Sequence, residues 1–190
     1  SGSGNNYFAG NVGIGTTAPG AKLSIAGSIE NIENPRYYRN VATYNSGGSI
    51  TGTLKIRMPK SWSNTMMQVR IQGYDYNSGK GAWEVIIGGY NHSATPAWYN
   101  YTATINGSPP FTQVRLAHDG TYNVILLGNT STSWSYPKVT VSEFIASFSN
   151  IDGWGTGWSI SVITNETGIA YAVTPTIKMY VDASGNVGIG

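Results

Sequence analysis

Apolar side chains recur at every second position over most of the chain. In Thr53-Leu54-Lys55-Ile56-Arg57-Met58, the side chains of Leu54, Ile56 and Met58 share one face and those of Thr53, Lys55 and Arg57 the other, the alternation of a half-buried strand. The same period runs through Met67 to Gln72, Val114 to Leu116, Val139 to Ser142, Ile160 to Val162 and Ile177 to Val181. Two continuous apolar runs, Trp83 to Ile87 and Val124 to Leu127, predict strands covered on both faces. Turn-forming residues separate the runs: Asn77 to Gly81, Asn106 to Pro110, Asp119-Gly120 and Asp152-Gly153. Asp119-Gly120 predicts a hairpin, since both residues tolerate the positive φ of a type I′ turn.

Two segments compete for helix. Ser28 to Asn34 spaces Ile29 and Ile32 by three and predicts one helical turn, stopped by Pro35. In Val141 to Phe148, residues Phe144, Ile145 and Phe148 share a helix face, but Val139 and Val141 continue the two-residue period, and strand is expected. Some eight to ten strands without a longer helix predict an all-β fold, an antiparallel β-sandwich of jelly-roll-like kind.

The ends of the chain repeat each other. Gly10-Asn11-Val12-Gly13-Ile14-Gly15 returns in order as Gly185-Asn186-Val187-Gly188-Ile189-Gly190, so an internal repeat frames an inserted domain. Ser1 to Gly4 reads as a linker. The expected division is 5–34 for the first repeat and a connector, 35–176 for the sandwich, and 177–190 for the start of the second repeat. Within each repeat the glycines leave only Val12 and Ile14, or Val187 and Ile189, as apolar side chains. Strands this short cannot bury a core alone. Three copies around an axis would cover those four residues and close the strand edges, which predicts a homotrimer.

Composition narrows the function classes. Only 11% of residues are charged and the formal net charge is +2, without a Lys/Arg cluster, so nucleic acid is not an expected partner. No apolar run reaches the roughly 18 to 20 residues of a helical membrane span, and no membrane insertion is expected. With no cysteine, thiolate catalysis, disulfides and zinc-thiolate sites are excluded. His92 and His118 lack a second ligand at a metal-binding spacing, no Gly-x-Ser-x-Gly elbow occurs, and Gly13-Ile14-Gly15-Thr16 lacks the lysine of a phosphate loop. Neither a metal nor a cofactor is expected. Nine carboxylates are present, but spacing singles out no pair for acid/base work on a sugar. Glu84 and Glu143, set among apolar neighbours, are expected to sit at strand edges or to pair with an arginine such as Arg70 or Arg115. Five Asn-x-Ser/Thr triplets fit an Asn/Ser/Thr-rich composition without glycosylation.

The aromatics carry more. Six Trp, thirteen Tyr and four Phe exceed what one core requires, and several fall among Gly, Asn and Ser: Trp62; Tyr90, Asn91 and His92; Trp98, Tyr99 and Tyr101; Trp134 and Tyr136; Trp154 and Trp158. Flat aromatic faces stack on the C–H faces of sugar rings while neighbouring polar groups fix the ring's orientation. From Tyr90 onward these are the expected glycan contacts. Aromatics are also favoured in strands and at subunit interfaces, so the core reading stands beside the binding one.

The run from Gly10 to Gly27, Gly-Asn-Val-Gly-Ile-Gly-Thr-Thr-Ala-Pro-Gly-Ala-Lys-Leu-Ser-Ile-Ala-Gly, resembles a recurring element of bacteriophage tail-fibre and tailspike proteins. Asp182 to Gly190 resembles the start of another copy. The domain between is similar to the receptor-binding modules of such fibres around Trp98-Tyr99-Asn100 and Trp134-Ser135-Tyr136-Pro137. The resemblance implies an excised piece of a homotrimeric fibre, located in the virion outside the host cell. It implies attachment to a bacterial surface glycan or another host receptor, without enzymatic activity. A glycan-degrading depolymerase domain and a structural spacer remain the alternatives.

Overall fold

A computed structural model describes residues 9–181 and 187–188, and every regular element in them is a strand. The first repeat supplies β1 (Val12–Ile14) and β2 (Leu23–Ile25), which pair in parallel with Ile14 opposite Ile25. The segment expected to make a helical turn is instead β3 (Ile29–Asn31), antiparallel to β4 (Arg36–Asn45). Its three-residue apolar spacing buries nothing, since Ile29 and Ile32 are both exposed. Arg36 reaches back from β4 to Glu30 Oε1 at 3.0 Å and to the Ile32 carbonyl at 2.9 Å, and so holds the segment extended.

The period-two runs become β5 (Ser49–Thr51), β6 (Thr53–Arg57), β7 (Thr65–Tyr74), β8 (Ala82–His92), β9 (Ala97–Gly107), β10 (Val114–His118) and β11 (Asn123–Leu127). After them come β12 (Ser133–Ser135), β13 (Lys138–Phe148), β14 (Ser159–Ile163), β15 (Ala170–Val173), β16 (Ile177–Val181) and β17 (Val187–Gly188). Val141 to Phe148 is thus strand. An eight-stranded sheet runs β17-β16-β9-β8-β7-β13-β4-β3 and a five-stranded sheet β14-β6-β11-β10-β15, with β5 and β12 as a small ribbon. The pairings are antiparallel except β1 with β2 and β9 with β16. β3 belongs to the large sheet, so the sheet begins before the boundary expected at residue 35, and β16 extends it past 176.

The two larger sheets face each other across one apolar core. Leu54 and Ile56 of β6, Leu116 of β10 and Ile125 of β11 meet Val69, Ile71, Val85, Ile87 and Ile105 from β7, β8 and β9, all nearly or fully buried. This is a sandwich-like all-β architecture. The connectivity is not that of a jelly roll along this stretch: β7, β8 and β9 form a meander within one sheet, whereas a jelly roll interleaves two Greek keys. β11 is covered on both faces as its apolar run predicts, with Val124 and Leu126 packed with Ala117 and Ile169 on the second face. Trp83 to Ile87 is not. There Trp83, Val85 and Ile87 are buried while Glu84 and Ile86 are partly exposed, because none of the described residues packs over the outer side of the large sheet at this point.

Residues 119–122 join β10 to β11 as expected, but as a four-residue loop: the Asp119 amide donates to the Tyr122 carbonyl at 3.0 Å. Only Gly120 of the pair has positive φ, at +89°. Asp119 Oδ1 accepts from the amides of Thr121 and Tyr122, an Asx-type closure that replaces the two-residue type I′ turn.

Candidate functional site

Strand alternation gives β7, β8 and β9 a second, outward face. On it stand Met66, Gln68, Gln72 and Tyr74 from β7 and Ile86, Gly88, Tyr90 and His92 from β8. An apolar methionine and isoleucine on the outer side of alternating strands are the local departure from pattern. They line a depression of about 270 Å³ with Gln68, Gly88, Tyr90, Asn100 and Thr102. Gly88 is needed here because a Cβ would overlap the Met67 carbonyl oxygen of the neighbouring strand.

A bulge shapes the rim. Between the pairs Gly88–Thr102 and Tyr90–Tyr99 the β9 strand carries one extra residue, and Asn100 there takes φ +49°, a conformation that asparagine tolerates better than most residues. Residues 99–102 are consequently exposed in succession. Rings follow one another along the rim: Phe148 and Tyr90 at 6.1 Å, Tyr90 and His92 at 5.8 Å, His92 and Tyr99 at 5.8 Å. Tyr90 donates its hydroxyl hydrogen to Asn64 Oδ1 at 3.3 Å, and His92 Nδ1 accepts the Thr95 amide at 3.1 Å. The result is an aromatic wall beside a polar, glycine-floored hollow.

Of the residues expected to touch a glycan, Tyr90, His92 and Tyr99 meet here, with the exposed Tyr101 beside the bulge. Four others do not serve that role. Asn91 is fully buried and points inward, its Oδ1 accepting the Thr65 amide at 2.8 Å and the Ser63 amide at 3.2 Å. Trp98 is buried edge-on against Trp62. Trp134 is fully buried, its Nε1 donating to the Gly52 carbonyl at 2.9 Å and its ring packed with Phe111 and Trp83. Trp154 is fully buried against Phe144, with Nε1 on the Asn150 carbonyl at 2.8 Å. A ring closed on both faces has none to offer a sugar, so these are core residues. Trp158 is half-buried and tied by Nε1 to the Trp154 carbonyl at 2.6 Å. Tyr136 is exposed but lies elsewhere, in a cleft of about 400 Å³ with Tyr74, Tyr76 and Lys138. Level with Tyr74 but on the β8 side of β7, Gln72, Glu84 and Asn106 line a third hollow. Phe148, Met66, Tyr74 and Tyr76 were not expected from the sequence; their signal was apolar or aromatic side chains on the outward phase of β7 and at the end of β13.

The four residues expected to pack between chains are only partly placed. Val12 is half-buried and Ile14 is 55% exposed. Val187 lies in β17, and Ile189 falls outside the described residues.

Two arrangements bear on catalysis. Ser61 Oγ lies 2.8 Å from His118 Nε2, but His118 Nδ1 accepts the Gly120 amide at 3.1 Å. In the neutral ring the proton is therefore on Nε2 and is donated to Ser61, the reverse of what activating a serine requires. Burial lowers the His118 pKa, opposed by the charge of Asp119. Six carboxylates are engaged as ion pairs: Glu84 with Arg70, Glu143 with Arg39, Asp119 with Lys55, Glu166 with Arg115, and both Glu30 and Asp152 with Arg36. Among the described residues no three metal-ligating side chains converge.

Compared with protein-family models, with curated proteins and with solved structures, the chain matches none.

Proposed function

We propose that this chain is a receptor-binding module of a trimeric fibre, of the bacteriophage tail-fibre kind its terminal repeats resemble, and that it holds a bacterial surface glycan on the outer face of its large sheet. The observation that carries the reading is the ring series Phe148, Tyr90, His92 and Tyr99, exposed at its two ends and half-buried at Tyr90 and His92, beside a concavity lined by Gln68, Asn100 and Thr102. Apolar platforms with a few placed amide and hydroxyl groups suit a pyranose, which has C–H faces and a polar rim. The hollow is shallow, and single-site affinity would be weak. Three copies on one axis would raise it by avidity.

Support for the trimer comes from Ile14 and Leu23, both more than half exposed on three-residue strands that have no core of their own. In the fibre they would be covered by the other two chains, outside the host cell in the virion. Attachment without turnover is the expected activity. Labelled protein should bind host cells, soluble surface polysaccharide should compete, and no reducing ends should appear on incubation. Release of reducing ends would favour a depolymerase, and absence of any cell binding a spacer.

A further inference from the structure

At the other end of the same outer face, eight residues along β7 from Met66 and so roughly 27 Å away, three tyrosines converge. Tyr74 ends β7, Tyr76 follows it, and Tyr136 separates β12 from β13. They are 48%, 70% and 47% exposed, and the rings of Tyr76 and Tyr136 meet edge to face at 6.0 Å. With Lys138 they line the cleft of about 400 Å³.

The cleft is braced from beneath. Asp75, between two exposed tyrosines, is itself fully buried. Its Oδ2 accepts the Ser135 amide at 2.9 Å and its Oδ1 the Asn77 amide at 3.0 Å, while the Tyr76 amide donates to the Ser135 carbonyl at 2.9 Å. One carboxylate thus ties the segment carrying Tyr76 to the one carrying Tyr136. Tyr136 sits at φ +48°, a left-handed conformation that costs a bulky residue free energy and persists only where surrounding bonds impose it. Its amide donates to the Gly48 carbonyl at 3.3 Å. The strained backbone opposes stability, and the exposed rings add nothing to the core.

Charge identifies the occupant. Lys138 Nζ donates to the Ser46 carbonyl at 2.8 Å and to Asn45 Oδ1, and among the described residues the ion pairs all belong to other cations. The buried Asp75 carboxylate is engaged by backbone amides. The rim therefore presents one uncompensated positive charge beside three aromatic faces. A quaternary ammonium, the other usual guest of a tyrosine cage, would be repelled by it.

We propose that this cleft binds a carboxylate-bearing pyranose, a uronic or sialic acid unit of an acidic polysaccharide, with its C–H face on the tyrosine rings and its carboxylate at Lys138. The proposal rests on the glycan reading above and deepens it by giving the receptor a charge. The Met66 hollow and the Gln72–Glu84 depression lie along β7 to β9, and the tyrosine cleft lies across β7 on its β13 side.

The test is calorimetric titration of the purified chain with short oligogalacturonate, oligomannuronate and α2,8-linked oligosialic acid, each paired with its methyl ester. At least one acid should bind. Its ester should bind about fivefold more weakly, Lys138→Gln should reproduce that loss, and Tyr76→Ala should weaken binding about tenfold. Equal affinity for acid and ester, or an unchanged Lys138→Gln, overturns the proposal. Failure of all three acids with host-cell attachment intact overturns it and leaves the glycan reading standing; failure of acids and attachment together overturns both.

Discussion

Trp154 and Tyr76 are both aromatic, both near glycine and asparagine in sequence, and opposite in role. The Trp154 indole is fully buried on Phe144, with Lys60 Nζ 5.2 Å above its ring. Trp154→Ala should therefore cost about 3–5 kcal/mol of unfolding free energy, read as a lowered urea midpoint. Tyr76→Ala should leave the midpoint within about 0.5 kcal/mol of wild type. The presence of surplus aromatics was legible in the sequence, and Tyr90, His92 and Tyr99 do come together on the outer face. Direction was not. In Trp154-Gly155-Thr156-Gly157-Trp158 the glycines read as an open loop, yet Gly157 at φ +86° helps fold the segment back so that Trp154 closes the core. Asn91 looked like a ligand contact because asparagine can hydrogen-bond a sugar; it bonds the backbone of residues 63 and 65 instead.

At the scale of elements, the two-residue period located β6, β7, β10, β13 and β14, since one face of each is apolar and packs on the core. It did not reveal the bulge at Asn100, where an added residue changes which β9 side chains face outward. Nor did it order the strands in the sheets, which depends on contacts far apart in sequence. One such contact is the bond from the 164–169 loop to the five-stranded sheet: Glu166 takes both Arg115 Nη atoms at 2.7 Å and the Thr53 hydroxyl at 2.5 Å. The Arg115 fork holds the Glu166 pKa below the usual carboxylate value, burial opposes, and Thr53 adds to the lowering. A depressed folded-state pKa gives stability that is present above the ordinary glutamate pKa of about 4.3 and lost as pH falls through the folded value. Between about pH 5 and about pH 3, wild type should lose more stability than Glu166→Gln, measured as urea midpoints. His118 acts in the same direction at higher pH: its lowered pKa makes protonation costly, so stability should begin to fall as pH drops below about 6.5. Equal pH slopes for wild type and Glu166→Gln would remove the loop's assigned anchor.

For the whole molecule, the repeated Gly-Asn-Val-Gly-Ile-Gly reads as a frame at the termini, and the structure sets β1 and β2 apart as a two-stranded sheet while β17 adds to the edge of the large one. Ile14 at 55% and Leu23 at 58% exposure are unusual for apolar residues on adjacent paired strands, and burial between chains would account for them. Ile14→Asp should convert trimer to monomer in sedimentation equilibrium while the sandwich keeps its near-ultraviolet signature. In the proposed fibre the ends would serve assembly and the outward sheet face between them attachment. Attachment is tested most directly by displaying bacterial surface polysaccharides as an array and measuring binding of wild type and of Tyr90→Ala/Tyr99→Ala. Wild type should bind at least one polysaccharide, and the double variant should lose that binding at least about tenfold with an unchanged urea midpoint. Equal binding by the two proteins, or no binding by wild type, would contradict a glycan receptor on this face.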